Sequence, residues 1–453
     1  MEPMNRRDFL GESIRGTAGI TLGVAAVAST STRVLGANEK VVLGLIGAGG
    51  RGSLLIQGMT KDADNVETKY VCEVDDTRGH GTIANLEKIQ GYAPKRVVDM
   101  REILDDKDVD AVVIATPGQW HALATVWACQ AGKDVYVEKC ISMTIWESRK
   151  MIEAARKCNR VVQCGMQNRS MPENIKARDY IMSGKMGRIV HVKVNNLHEG
   201  EPWRPKPDTE PPEGLDWDRW LGPAQEVPYN ENRHQEYAHY FEYGGGVLAR
   251  TGCHTLDLAR MVIGDPPQPD SVYAAGGRLG FKDERETPDL VAAVYDYGDF
   301  TMTLDHTEFM PYMTRTIYIG DVVYGDKFPH WPQCSTRIEI YGTEQMMYLG
   351  PHGGGWQVFE KDGEIVAQET GYWAQEPHYL NFIDCVRSRK DPNCPIEQGH
   401  LSTTLAHIAN AAVRVGNKHL ILDAETDTFV NNDDANKLLK PQYRKNYRIP
   451  EQV

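Results

Sequence analysis

The stretch "VVLGLIGAGGRGS", residues 41–53, carries the reading of the fold. It opens as an apolar run broken only by Gly44, the mark of a strand buried on both faces, and beyond the later glycines Leu54, Leu55 and Met59 continue at helical spacing. Gly47, Gly49 and Gly52 form GxGxxG at the turn. The first glycine permits the tight bend, the second lets a phosphate approach the backbone, and the third lets the helix pack on the strand. The spacing alone is weak, but an acid, Glu73, ends the next strand candidate, where it would bond a ribose 2′-hydroxyl and repel a 2′-phosphate. Asp75 reinforces the negative field, so NAD is favoured over NADP, although Arg78 leaves room for the phosphate.

The alternation continues outward from this unit. Strand candidates "ETKYVCEV" (67–74), "DAVVIAT" (110–116), "DVYVEK" (134–139) and "RVVQCG" (160–165) are separated by helix-like stretches, which implies a doubly wound parallel sheet covered on both faces. From Ile189 the texture changes to alternating strands, among them "IVHVKVNNL", "LVAAVYDY", "FTMTLDHT" and "RIEIYG", with few helices between them. The fold class is therefore α/β: a Rossmann domain over 37–165, then an α+β domain over 166–423 with a large, mostly antiparallel open sheet. A tail, 424–453, is expected to pack back on the protein, and residues 199–243, rich in Pro, Trp and Tyr, read as a lid-like excursion.

At 453 residues and a formal charge of −13, the chain is long enough for two domains and too acidic to favour nucleic acid or an anionic membrane surface. Nine cysteines without a CxxC pair give neither a zinc pattern nor a disulfide framework and fit reduced, buried thiols. His234 and His239 have no clear carboxylate partner, and no metal is assigned. At the N-terminus Arg6 and Arg7 precede Asp8, Phe9 and Leu10, a weakly apolar run covers Gly16 to Ser29, and Val34 and Gly36 stand before a cleavage-like site. That is the layout of a twin-arginine signal, residues 1–36, whose apolar core is too short to span a membrane. An exported, periplasmic protein is expected, with no membrane insertion of the mature chain.

Further stretches join these: "VIATPGQWHALATVWACQAGKDVYVEKCIS", "VQCGMQNRS", "GGGVLARTGCHTLDLARMVIG", "NFIDCVRSRKDPN" and "DDANKLLKPQYR". With them the chain resembles the Gfo/Idh/MocA family, named for glucose-fructose oxidoreductase, inositol dehydrogenase and a rhizopine-catabolism protein. The resemblance covers nearly all of the chain after the signal. It implies a Rossmann domain followed by an open-sheet domain, a sugar or polyol substrate, and a homodimer or homotetramer.

The resemblance also implies site residues. The family's Glu-Lys-Pro motif stands here as Glu138, Lys139 and Cys140; in relatives the lysine reaches the nicotinamide ribose and the reacting hydroxyl, so Lys139 is the leading catalytic candidate. Gly50 and Arg51 of the glycine turn, Thr116, Pro117 and His121 beyond the strand 110–116, and Gln167 complete the expected cofactor set. His121 or Trp120 is placed to touch the nicotinamide, and a plain loop role fits His121 equally. Relatives that oxidise polyols commonly carry an Asp four residues before a His; here Arg250 holds the Asp position and His254 is the His. Arginine cannot act as a base, because its pKa stays above about 12. His254, alone or with Lys139, is then expected to take the hydroxyl proton, its other reading being a cap of the helix "HTLDLARMVI". Arg250 has three readings: a clamp on a substrate carboxylate, a stabiliser of a developing alkoxide, or a partner for an excursion acid such as Glu242. Asn168 and Arg169, expected to face the interdomain cleft, and Tyr240, among aromatics able to stack on sugar faces, are further substrate candidates.

Three functions follow. An exported enzyme has no soluble pool to recharge its cofactor, so the cofactor should be retained and reset within one turnover or by a second substrate. A carbohydrate oxidoreductase satisfies that. So does a redox-neutral glycosidase, which oxidises a ring carbon, eliminates the aglycone, adds water and re-reduces. The oxidoreductase reading leads because nothing in the chain marks a glycosidase. The third is a non-catalytic, nucleotide-gated sugar-binding protein, against which Lys139 and His254 argue.

Overall fold

The structure is a computed structural model that describes residues 39–309, 313, 327–444 and 446–453. The expected signal, 1–36, lies outside the described residues. Strand β1 (Val41–Ile46) is buried along its whole length and runs parallel to both neighbours, β2 (Val66–Cys72) and β4 (Ala111–Ile114). With β3 (Lys95–Val97), β5 (Asp134–Val137) and β6 (Val162–Cys164) the order is β3-β2-β1-β4-β5-β6, every pair parallel. The order reverses between β1 and β4, which opens a crevice at their carboxyl ends. β3 is absent from the strand candidates of the sequence: three residues at the sheet edge, only Val97 of them buried, leave no periodic trace. Helix α1 (Gly50–Asp62) lies against β1, burying Leu55, Ile56 and Met59. Gly52 lets it come so close, since a Cβ there would stand 2.0 Å from the Gly47 carbonyl oxygen.

The second sheet has ten strands: β7 (Ile189–Leu197), β10 (Ser271–Gly277), β11 (Leu290–Asp296), β12 (Thr301–Thr307), β13 (Thr336–Gly342), β14 (Met346–Gly350), β15 (Gly355–Phe359), β16 (Ile365–Glu369), β17 (His419–Asp423) and β18 (Thr428–Phe429). Their order is β16-β15-β14-β13-β7-β12-β11-β10-β17-β18, antiparallel except where β7 meets β12. Alternation decides which face is core: along β11, Val291, Ala293 and Tyr295 are buried while Ala292, Val294 and Asp296 are exposed. The inward residues share one core with the helices Pro172–Met182, Cys253–Val262 and Ile396–Arg414.

The excursion 199–243 is more ordered than a loop. It holds a ribbon of β8 (Asp208–Thr209) and β9 (Tyr229–Asn230), the short helices Trp217–Leu221 and Glu231–Gln235, and an apolar cluster that includes Leu215, Trp217, Trp220, Tyr229, Tyr240 and Tyr243. Trp217 and Trp220 stack with centroids 4.6 Å apart. The tail returns to the first domain, where Tyr447 meets Trp120 edge-on at 5.4 Å. Among the described residues no helix is long and apolar enough to cross a membrane.

Candidate active site

β1 delivers the chain into the glycine turn. Gly47 has φ +92°, and a Cβ on it would stand 2.8–2.9 Å from the backbone of Ala115 and Thr116, so only glycine fits. A Cβ on Gly50 would meet nothing within 4 Å, and α1 begins there with no side-chain cap from Gly49. Uncapped N–H groups at a helix start, facing open space, suit the pyrophosphate of a dinucleotide. The space is a cleft along the carboxyl edge of the parallel sheet, lined by Gly47, Gly49, Gly50, Arg51, Glu73, Asp75, Arg78, Thr116 and Pro117 among others.

Glu73 is partly committed. Its carboxylate accepts from the N–H groups of Ala48 (2.8 Å), Val74 (2.9 Å) and Asp75 (3.1 Å), tying the glycine turn to the end of β2. One of its roughly four lone-pair directions is left for a ribose hydroxyl. Asp75 turns to Thr77, whose N–H and Oγ1 donate at 2.9 and 2.6 Å, and to Arg78 Nε at 3.1 Å. Burial opposes its charge, but Thr77 and Arg78 outweigh burial and hold the carboxyl below its ordinary range.

β5 carries Glu138 and Lys139 to the same crevice. Glu138 is buried, accepts from Arg51 Nε at 2.8 Å, and takes a second bond from Gln167 Nε2 at 3.2 Å. Burial again opposes the charge, and Arg51 with Lys139 keeps the carboxyl below the usual range. Arg51 lines the cleft, yet its guanidinium is engaged with Glu138 and with Gln375. Gln167, expected at the cofactor, is buried between Glu138 and the Tyr136 hydroxyl and braces the turn from behind. Lys139 Nζ donates to the Arg250 carbonyl oxygen at 2.8 Å. Burial pushes its pKa down, opposed by Cys253 and Glu138, which brings the free amine closer to neutral pH. The Lys139–Cys140 peptide is cis. His121 does not reach the cleft. Its buried ring sits between the carbonyls of Cys140 (Nδ1···O 2.7 Å) and Thr116 (Nε2···O 2.9 Å), tying the loop after β4 to the Lys139 turn.

Arg250 stands on a single π-helical turn, Leu248–Gly252, that leads into the helix Cys253–Val262. Such turns are rare and gather at functional sites. Its side chain is exposed and forms no ion pair among the described residues. Glu242, one of the partners read from the sequence, instead accepts from the Gln225 N–H. His254, one turn further on, is 7% exposed and meets the His352 ring edge-on at 5.1 Å. His352 meets Trp373 edge-on at 4.6 Å, and its N–H donates to Asn168 Oδ1 at 3.0 Å. Contacts thus connect Lys139 to Arg250 and His254 to Asn168. Beside them, Thr251 Oγ1 of the π-helical turn meets Nε2 of His198, just past β7, at 2.9 Å, and Asn196 Nδ2 of β7 meets His306 Nδ1 of β12 at 3.0 Å.

Two substrate candidates are placed elsewhere. Arg169 is buried with Nε 2.8 and 2.9 Å from the two Asp257 oxygens and Nη2 2.7 Å from Asp265, so both acids hold its guanidinium inside the second domain. Tyr240 is buried in the excursion, 6.2 Å from the Trp203 ring and under the Arg233 guanidinium at 4.6 Å. His352, Trp373, His198 and His306 were not foreseen. "GPHGGGW" reads as any hairpin turn, and only the pairing of β14 with β15 carries His352 to the site.

Three family models match in succession: "Oxidoreductase family, NAD-binding Rossmann fold" over residues 41–166, "GFO/IDH/MocA C-terminal domain" over 175–348, and "Oxidoreductase family, C-terminal alpha/beta domain" over 339–449. The scyllo-inositol 2-dehydrogenase (NAD(+)) of Bacillus subtilis is 24% identical over 285 residues, 62% of this chain and 66% of that protein. The α-N-acetylgalactosaminidase of Shewanella oneidensis is 26% identical over 217 residues, 44% of this chain and 47% of that protein. The alignment therefore spans less than two thirds of either relative's length. Among solved structures, the WlbA dehydrogenase of Bordetella pertussis, in complex with NADH and UDP-GlcNAcA, matches with a TM-score of 0.58 at 20% identity, over 85% of this chain and 99% of that one. At that identity the likeness is one of fold.

Proposed function

Since the chain belongs to the GFO/IDH/MocA oxidoreductase family, we propose that it is an NAD-dependent oxidoreductase acting on a hydroxyl-bearing carbon of a sugar, polyol or glycoside. The observation that carries the reading is the Lys139 amine, aimed by the Arg250 carbonyl at 2.8 Å beside a glycine turn whose open space suits a dinucleotide. Glu73 and Asp75 would hold the ribose and favour NAD over NADP. The bound nicotinamide supplies the acceptor for the hydride that leaves the substrate carbon.

The chain's own residues handle the proton. Lys139, with its pKa lowered by burial, has a free amine available to take the hydroxyl proton, and His254 stands one turn beyond Arg250 to share or pass it on. Arg250, free of any ion pair among the described residues, offers its guanidinium to the developing alkoxide or to a substrate carboxylate. Asn168, buried, accepts from the His352 N–H and so braces the ring that packs on His254. Export by the twin-arginine route, with the nucleotide retained, and assembly as a homodimer or homotetramer belong to the same proposal. The match to the Shewanella α-N-acetylgalactosaminidase favours redox-neutral glycoside cleavage as the second reading.

One experiment separates the readings. The purified protein is denatured and its released nucleotide identified; sugars, polyols and glycosides are then screened for reduction of the nicotinamide and, separately, for release of the aglycone. Net reduction supports the oxidoreductase, and aglycone release without net reduction supports the glycosidase. Neither reduction of the cofactor nor release of an aglycone with any compound leaves a nucleotide-gated binding protein and refutes both.

A further inference from the structure

The cleft at the edge of the parallel sheet is not walled by the Rossmann domain alone. On the side of Glu73, where the adenosine ribose is expected, its lining includes Trp120 and Trp127 from the first domain, Arg219, Trp220 and Tyr237 from the excursion, and Tyr447 from the tail. We infer that the excursion and the tail complete the nucleotide site as a latched roof over its adenosine half, and that the cofactor exchanges only when this roof lifts. The inference rests on the dinucleotide reading of the cleft.

The roof is attached by backbone bonds at its front edge. Leu215 pairs antiparallel with Asp75, the Asp76 N–H donates to the Gly214 carbonyl at 2.9 Å, and the Asp216 N–H donates to the Val74 carbonyl at 3.0 Å. These bonds extend the very segment that ends in Glu73 and Asp75. Further back, Trp120 Nε1 donates to the Arg219 carbonyl at 2.9 Å and Gln119 Nε2 to the Trp220 carbonyl at 3.1 Å. The roof comes down without spare room: Gly222 has φ +52°, and a Cβ on it would stand 2.1 Å from the Trp120 ring.

The latch is Arg444. From the tail its Nε donates to the Gly222 carbonyl at 2.7 Å and its Nη2 to the Asp218 carbonyl at 2.8 Å, while Nη1 meets the Asp218 carboxylate at 2.5 Å. Arg444 does not line the cleft, so it acts on the nucleotide only through the roof. Three charge-assisted bonds hold one end of the Trp217–Leu221 helix, whereas the front edge is held by neutral backbone bonds. A purine lying against the packed rings of Trp120, Trp127 and Tyr447, which line the cleft, is therefore enclosed by segments that must part before it can leave. That suits an enzyme that keeps its cofactor.

The test uses full-length protein loaded with NADH and chased with excess NAD+, following loss of bound NADH fluorescence by stopped flow. Arg444→Ala should release NADH at least tenfold faster than wild type, and Arg444→Lys should lie between. In the wild type, added NAD should slow backbone hydrogen exchange across 212–222, a readout that stands even where Arg444→Ala fails to fold. Equal release rates in a variant that melts like wild type, or exchange across 212–222 that ignores NAD, would overturn the roof and leave the cofactor reading intact. Absence of dinucleotide binding by calorimetry would overturn both.

Discussion

Replacing Lys139 with methionine keeps an unbranched side chain and removes the amine, and the structure gives its effects on stability and turnover very different sizes. The ammonium makes one charge-assisted bond, Nζ to the Arg250 carbonyl at 2.8 Å, worth roughly 1.5–3 kcal/mol. Against it stands burial, the largest influence on this amine, with Arg250 and Arg51 adding like charge. Methionine loses the bond and the burial penalty together, so stability should move by no more than about 1 kcal/mol. Turnover has no such compensation. Loss of a general acid–base group costs about 10²- to 10⁴-fold, or about 2.7–5.4 kcal/mol. The sign of the pH dependence follows as well. Oxidation needs the free amine, so wild-type turnover should rise with pH through the lowered Lys139 pKa, and that limb should vanish in Lys139→Met. The assay is nicotinamide reduction by the best substrate of the screen across a pH series, with thermal melts and nucleotide content measured on the same samples. A turnover loss under threefold, or a limb that persists in the variant, would refute Lys139 as the proton acceptor and leave His254 in that role.

Three further outcomes follow from the same geometry. If Arg250 clamps a carboxylate, Arg250→Ala should raise KM for a uronate by about 10- to 150-fold, the equivalent of roughly 1.5–3 kcal/mol, and spare the neutral glycoside; equal losses on both would exclude the clamp. Glu73→Gln should raise the NAD dissociation constant at least about tenfold by calorimetry, because it loosens the Ala48 turn as well as the ribose contact, and unchanged affinity would remove Glu73 from the site. Burial lowers the pKa of His378 and of His407 to about 4, so each is neutral in the fold and protonates more readily when unfolded. Stability should therefore fall as pH drops from about 6.5 towards 4, by roughly 3 kcal/mol for each. Glu173, pushed up to about 7 by burial, works in the opposite direction and offsets part of this. Urea melts at pH 7 and near pH 4.5 measure the difference, and equal stability at the two would contradict the burial of the histidines.

What could be read from the sequence is what the backbone itself demands. Gly47 is legible because no other residue takes φ +92° against Ala115, and β1 because burial on both faces requires an apolar run. Glu73 and Lys139 are legible because each ends a strand at the crevice. The rest depends on partners that spacing does not reveal. "NRS" after β6 reads the same whether Arg169 faces the cleft or meets Asp257, on a helix much later in the chain, and Asp265 just beyond that helix. His121 and Gln167 lie at the expected places, yet each is engaged from behind, one by the Cys140 carbonyl and the other by Glu138. The excursion announces itself by its aromatics, but that its Leu215 pairs with Asp75 is a matter of tertiary register.

The substitution at position 250 changes which group can hold the proton. Relatives with Asp at this place put an acid one helical turn from the His, so that pair can share the proton. An arginine in its stead brings a fixed positive charge that helps keep the Lys139 amine free of a proton, while the carbonyl that orients the amine is backbone and would be supplied by any residue there. Glu138, which works to keep that proton on, is itself paired with Arg51, so its charge is already answered. The base thus moves, on the proposed mechanism, from the helix Cys253–Val262 to the turn after β5. His254 is left to receive the proton from Lys139 or to hold the wall with His352, and Arg250 is left with a guanidinium facing a space where a hydroxyl becomes an alkoxide. On the proposed mechanism the chemistry needs no acid at position 250, because the burial that makes Lys139 a poor cation is what would make it a competent base.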